Sequence, residues 1–180
     1  IHAADELVLG LSRLTADFKT LGVLGNHDYW SDVVEARKAL QRCGVLEIGN
    51  GFHTLERDGQ KLHIAGVDDI WYGHDDLDKV LSMLPEKGAA ILLAHEPDFA
   101  DKSAKTGRFG LQLSGHSHGG QIVLPFIGPP ILPWLGQKYP SGLYKVGDMW
   151  QYTNRGVGMV DLSIRYNCPP EITVFTLNPV

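Results

Sequence analysis

The chain is poor in the features that mark special classes. It holds two cysteines, Cys43 and Cys168, far apart and in no metal-binding spacing. They read as a buried small hydrophobe and a loop thiol, and they report no redox compartment. There is no surplus of positive charge: 16 Lys and Arg stand against 21 Asp and Glu, for a net charge of −5. A general nucleic-acid binder is thereby disfavoured, because affinity for a phosphate backbone needs a cationic face. Phosphorylated substrates stay open, since bound divalent cations neutralise such charge locally. No stretch reaches the ~18 apolar residues of a membrane helix. No charged-then-apolar leader is visible, although the chain opens at Ile1 directly into a helical pattern, so that a leader or membrane anchor would lie upstream. Repeats, low-complexity tracts and interdomain linkers are also missing. What remains is ordinary: 180 residues, 43% hydrophobic and 21% charged, the profile of one soluble globular domain over 1–180 with a sizeable core.

Hydrophobic periodicity alternates between helical and strand spacing, which predicts an α/β architecture. An amphipathic helix is expected over Ala3–Leu14, then a short strand over Lys19–Leu24 ending on Gly25. A second helix is expected from an N-cap at Ser31 to about Arg42. Phe52–Arg57 and Lys61–Val67 flank Asp58-Gly59, a dipeptide that tolerates the positive φ of a tight hairpin turn. A helix over Asp75–Leu84 is closed by Pro85, and the apolar runs Ala89–Ala94 and Gly110–Leu113 read as buried strands. Residues 119–142 hold five of the ten prolines and read as a long structured loop. Strands over Tyr144–Val146 and Met149–Thr153 meet at Gly147-Asp148, and a last strand is expected over Ile172–Leu177.

Three polar segments each follow an apolar, strand-like run: Gly25-Asn26-His27-Asp28, Ala94-His95-Glu96 and Gly115-His116-Ser117-His118. Ligands of open α/β sheets bind outside the carboxyl ends of the strands, so three such tips can converge on one site. Imidazole nitrogen and amide oxygen suit Mn, Fe or Zn better than Mg or Ca. His116 and His118 alternate on an extended tip and can face neighbouring metals. Taken singly, each segment has a plainer reading: His95 as a structural histidine, His116 and His118 as a surface pair, Asn26 to Asp28 as a capped turn. Their combination and order favour a site. His2, His53, His63 and His74 gain nothing from this company and read as structural or solvent-facing. Asp68-Asp69 and Asp75-Asp76 read as loop and helix-cap carboxylates.

Gly-Asn-His-Asp, a later His after an apolar strand, and Gly-His-x-His resemble the third to fifth motifs of the calcineurin-like metallophosphoesterases. The likeness continues through Gly119–Pro125, Gly128-Pro129, Asn154–Gly158 and Arg165–Ile172, a pattern similar to the bacterial YkuE/YaeI-like branch, part of which hydrolyses a UDP-diacylglucosamine pyrophosphate bond. The resemblance implies an αββα sandwich of two mixed sheets between helices, here without the first βα units. It implies that Asn26, His95 and His116 bind one metal and His118 a second. His27 is implied as general acid or transition-state stabiliser, oriented by Asp28. A hydroxide bridging two divalent ions (Mn, Fe or Zn) would attack phosphorus, and the imidazole would protonate the leaving oxygen.

The family's first two motifs, Asp-x-His and Gly-Asp-x-x-Asp, are absent from the sequence and are expected upstream of Ala3. The chain is therefore expected to hold one nearly complete half-site, to bind one metal or fewer tightly, and to be weakly active or inactive alone. The expected function is a phosphodiesterase or pyrophosphatase acting on a lipid-linked or nucleotide-linked phosphoester. Membrane association would come through upstream sequence. The competing function is a non-catalytic scaffold of the same fold that binds protein partners. Residues 122–135, apolar and proline-rich, either border a lipid-accepting groove or form a packed loop over the core.

Overall fold

The computed structural model describes residue 8 and residues 19–178. The helix expected over Ala3–Leu14 lies outside the described residues, except for Val8, which is helical. The chain enters through strand β1 (Thr20–Gly22), followed by helix α1 (Asn26–Ser31), helix α2 (Val33–Arg42) and strand β2 (Val45–Glu47). The helix expected from Ser31 to about Arg42 is α2, and α1 before it was not expected. Asp32, extended at φ −156° and ψ 99°, divides them. Its Oδ1 accepts from the amides of Val34 (3.0 Å) and Glu35 (3.1 Å), so Asp32 rather than Ser31 is the N-cap. The Ser31 hydroxyl donates back to the His27 carbonyl instead.

Strands β3 (Gly51–Arg57) and β4 (Gln60–Gly66) form the expected hairpin, with φ 52° at Asp58 and 74° at Gly59. Helix α3 (Leu77–Met83), capped by Asp76, leads to β5 (Ala89–Leu93). A short helical stretch containing α4 (Ala100–Ser103) precedes β6 (Leu111–Ser114). The loop over 119–142 leads to the hairpin of β7 (Gly142–Val146) and β8 (Met149–Thr153).

The six later strands make one mixed sheet in the order β3-β4-β5-β6-β8-β7, parallel from β4 to β8 and antiparallel at both edges. Among the described residues the second sheet is the parallel pair β1-β2, not a mixed sheet. The α/β class expected from the sequence therefore holds. One face of the large sheet carries the core, because alternate residues of a strand share a face: Ala65, Val67, Ala90, Leu92 and Ala94 meet Val80 of α3 and Phe99 beside α4. Gln112 and Gln151 sit opposite one another on this face and are fully buried. The Ser103 hydroxyl donates to Gln112 Oε1 (2.5 Å), which bonds α4 to the sheet.

Residues 172–177, expected as a strand, form none. β8 is already paired on both sides, with β6 and β7, and leaves no free ladder. The segment instead crosses Tyr152, whose hydroxyl meets Glu171 and lies 2.9 Å from Thr173 Oγ1, while the ring meets Phe175 edge-on at 5.1 Å. No helix among the described residues is long and apolar enough to cross a membrane.

Candidate metal centre

The three polar tips follow β1, β5 and β6 and converge. Asn26 opens α1 and is 4% exposed. Its Oδ1 lies 3.1 Å from His95 Nε2 and 3.2 Å from His116 Nδ1, and the two imidazoles meet edge-to-face at 5.1 Å. Local geometry makes this approach possible. A Cβ on Gly25 would stand 2.5 Å from the His95 ring, so the missing side chain is the space that ring occupies. The Gly25 amide donates to Asp28 Oδ2 (2.8 Å), closing the turn that presents Asn26.

The protonation pattern fits a cation. His116 Nε2 lies 2.8 Å from the Trp134 carbonyl, so in the neutral ring that nitrogen carries the proton and Nδ1 offers a lone pair toward the cluster. Burial pushes the His116 pKa down, and pushes that of His95 down to about 3 with help from the neighbouring histidines. Two neutral imidazoles thus bring Nδ1 of His116 and Nε2 of His95 to the point where an amide oxygen also arrives, and in the Nδ1–H tautomer of His95 both nitrogens offer lone pairs there. Such acceptors face one another favourably when a cation lies among them.

His118 stands apart from this trio but lines the same cavity, a space of about 330 Å³ bordered by Asn26, His27, His116 and Trp71. Its Nδ1 is buried without a hydrogen-bond partner, and burial together with the Arg165 charge lowers its pKa. His27 is exposed, with its ring 5.0 Å from Trp30. It borders this cavity and a second one that also touches His118, Asp28 and His95. Burial raises the Asp28 pKa against the Gly25 bond. Among the described residues no hydrogen bond joins Asp28 to His27. His63, expected as structural, is buried between Thr54 Oγ1 (2.8 Å) and the Lys87 carbonyl (3.0 Å), and His74 stacks on Tyr29.

Sequence reasoning passed over Glu96, which is fully buried and brings a carboxylate oxygen within 4.8 Å of ligand atoms of His95 and His116. It packs against Asp69, also fully buried, and burial followed by this carboxyl neighbour raises its pKa. The only sequence signal was an acid at the end of an apolar run. Asp68 is a loop carboxylate, bound to Tyr29 and Arg37.

The chain is 45% identical over 169 residues to the "Uncharacterized metallophosphoesterase YkuE" of Bacillus subtilis, a match covering 93% of this chain and 59% of that protein. It is 30% identical over 171 residues to "Phosphodiesterase YaeI" of Escherichia coli, covering 93% and 61%, and 28% identical over 170 residues to YkoQ of B. subtilis, covering 91% and 62%. The chain thus spans about three-fifths of the length of these curated relatives. No protein-family model matches it, and no solved structure does. With its strand-end histidines gathered around Asn26 and these relatives alongside, the chain is similar over 93% of its length to metallophosphoesterases of the YkuE/YaeI-like branch, in the calcineurin-like superfamily.

Proposed function

We propose that this chain carries part of the active site of a metal-dependent phosphoester hydrolase, a phosphodiesterase or pyrophosphatase. The observation that supports it most is the meeting of Asn26 Oδ1, His95 Nε2 and His116 Nδ1 within about one ligand sphere. In this reading these three hold one divalent ion (Mn, Fe or Zn) and His118 Nδ1 contributes to a second. Bound there, the ions supply Lewis acidity and activate water at neutral pH. The chain's own residues do the rest. His27, exposed at the mouth of the cavity, donates a proton to the leaving oxygen. Asp28 acts through the turn, since its carboxylate holds the Gly25 amide and with it the backbone that presents Asn26 and His27. A second ion also calls for carboxylates beyond these neutral donors.

A scaffold without chemistry has no use for neutral histidines converging on an amide oxygen, and no observation favours it. For the substrate, a lipid-linked phosphoester is favoured over a nucleotide-linked one by the cavity rim. Trp30, Ile131 and Leu162 line the cavity yet are 64%, 79% and 61% exposed.

The test is metal content after Mn²⁺ loading and desalting, together with hydrolysis of an aryl phosphodiester with and without chelator. Bound metal lost in His116→Ala, and any turnover abolished by chelator, is the expected result. Turnover that survives both the mutation and the chelator would sink the reading.

A further inference from the structure

Behind the cavity a single guanidinium gathers backbone carbonyls from two other segments and from its own loop. Arg165 Nη2 donates to the carbonyls of Gly158 (2.6 Å), Arg155 (2.8 Å) and Gly156 (3.4 Å), and Nε donates to Gly158 (3.2 Å). Nη1 donates to the carbonyls of Cys168 and His118, both at 3.2 Å. The same His118 carbonyl accepts from the buried Cys168 thiol at 3.3 Å. Among the described residues Arg165, which is half-buried, forms no ion pair. Its donors are spent on shape.

The two segments it joins are those that build one side of the cavity. His118 sits at φ 52°, a left-handed conformation that a residue with a side chain holds only when its surroundings impose it. The carbonyl bound by Arg165 is the outward anchor of that turn. Gly158 takes two of the guanidinium bonds. Val160, Asp161 and Leu162, a few residues on, form the cavity wall. Gln121 fastens the same wall from the other side. Its Nε2 donates to the carbonyls of Val160 and Leu162, both at 2.9 Å, and its Oε1 accepts from the Val160 amide at 2.8 Å.

We propose that Arg165 is a positioning residue, which holds the His118 imidazole and the 158–162 wall over the donor cluster by tying their backbones together from outside the cavity. Its functional consequence rests on the phosphohydrolase reading of the site. Its geometric content does not. Five N–H groups in a rigid planar fork can reach several carbonyls at once, whereas a lysine ammonium is a single point with three donors. Charge alone therefore does not substitute for it.

The test compares the chain with Arg165→Met and Arg165→Lys in two measurements. In amide hydrogen exchange without metal, Arg165→Met is expected to raise exchange in 117–121 and 155–163 together while the β4–β6 amides stay protected. Arg165→Lys is expected to fall between. Should Arg165→Met fail to fold, the lysine variant carries the comparison. Unchanged exchange at 117–121 in the folded variants would overturn the proposal. In Mn²⁺ binding followed by electron paramagnetic resonance, Arg165→Met is expected to weaken affinity about 10–100-fold, the range for groups that orient metal ligands. In a His118→Ala background the same change is expected to add little, because the two act through one side chain. Additive losses would assign Arg165 a general structural role and overturn the proposal. Absence of Mn²⁺ binding in the unsubstituted chain would instead count against the metal reading, and hydrogen exchange would still decide the role of Arg165.

Discussion

The most exacting single position in the centre is Gly25. Its φ of −133° suits any residue, so backbone freedom is not what glycine supplies there. The requirement is steric, since a methyl group would fall 2.5 Å from His95 Cδ2 and Nε2. Gly25→Ala is expected to displace the His95 ring, to lower stability by about 1–3 kcal/mol as overpacking does, and to weaken Mn²⁺ binding. Urea unfolding and metal titration read the two effects separately. A variant unchanged in both would show that His95 has room the structure does not give it. At this scale the histidines were legible because each follows an apolar run and precedes a turn. The Trp134 carbonyl that sets the His116 tautomer was not, because any residue supplies a carbonyl and the partner lies 18 positions along the chain. Glu96 and Asp69 escaped for a related reason. Burial of a carboxylate depends on what folds over it, and nothing local in the sequence reports that.

Among the elements, β5 was readable because a central parallel strand buried on both faces spells an apolar run, and β6 from Leu111 and Leu113, although its buried face carries Gln112. The β3–β4 hairpin was readable from its turn residues. The crossing segment 172–177 was misread because alternation marks an extended chain without saying whether a partner edge is free. Its anchorage makes a separate prediction. The Glu171 carboxyl is held down to about 2: burial opposes this, but hydrogen bonds from Thr173 and Tyr152 and the Arg155 guanidinium (2.6 Å) outweigh it. A carboxyl whose native pKa is depressed stabilises the fold fully above its ordinary range, and the benefit disappears as pH falls through the native value. Glu171→Gln is therefore expected to cost about 2 kcal/mol at pH 7, the scale of hydrogen bonds to a charged group. The gap should narrow below about pH 4 and close near pH 2. A gap independent of pH, in urea unfolding followed by tryptophan fluorescence, would remove the charge from the account of this anchorage.

Over the whole molecule, the apolar surface is unevenly placed. Phe126 is fully exposed and Ile127 is 75% exposed in the same loop as Ile131, so a packed cover for the core accounts for only part of 122–135. The proposed preference for a lipid-linked substrate predicts faster hydrolysis of an acylated pyrophosphate than of its deacylated form. Equal rates would remove lipid from the proposal and leave the phosphoester chemistry untouched.

Asn26 meets His95 across 69 residues of chain and His116 across 90. Contacts of such separation form only after the intervening loops have been closed, which makes them late events in folding and slows sheets built from parallel strands. A nascent chain thus offers an ion no foothold until β5 and β6 are side by side. An ion that recognises the finished cluster would act on the time the molecule stays folded rather than on the time it takes to fold.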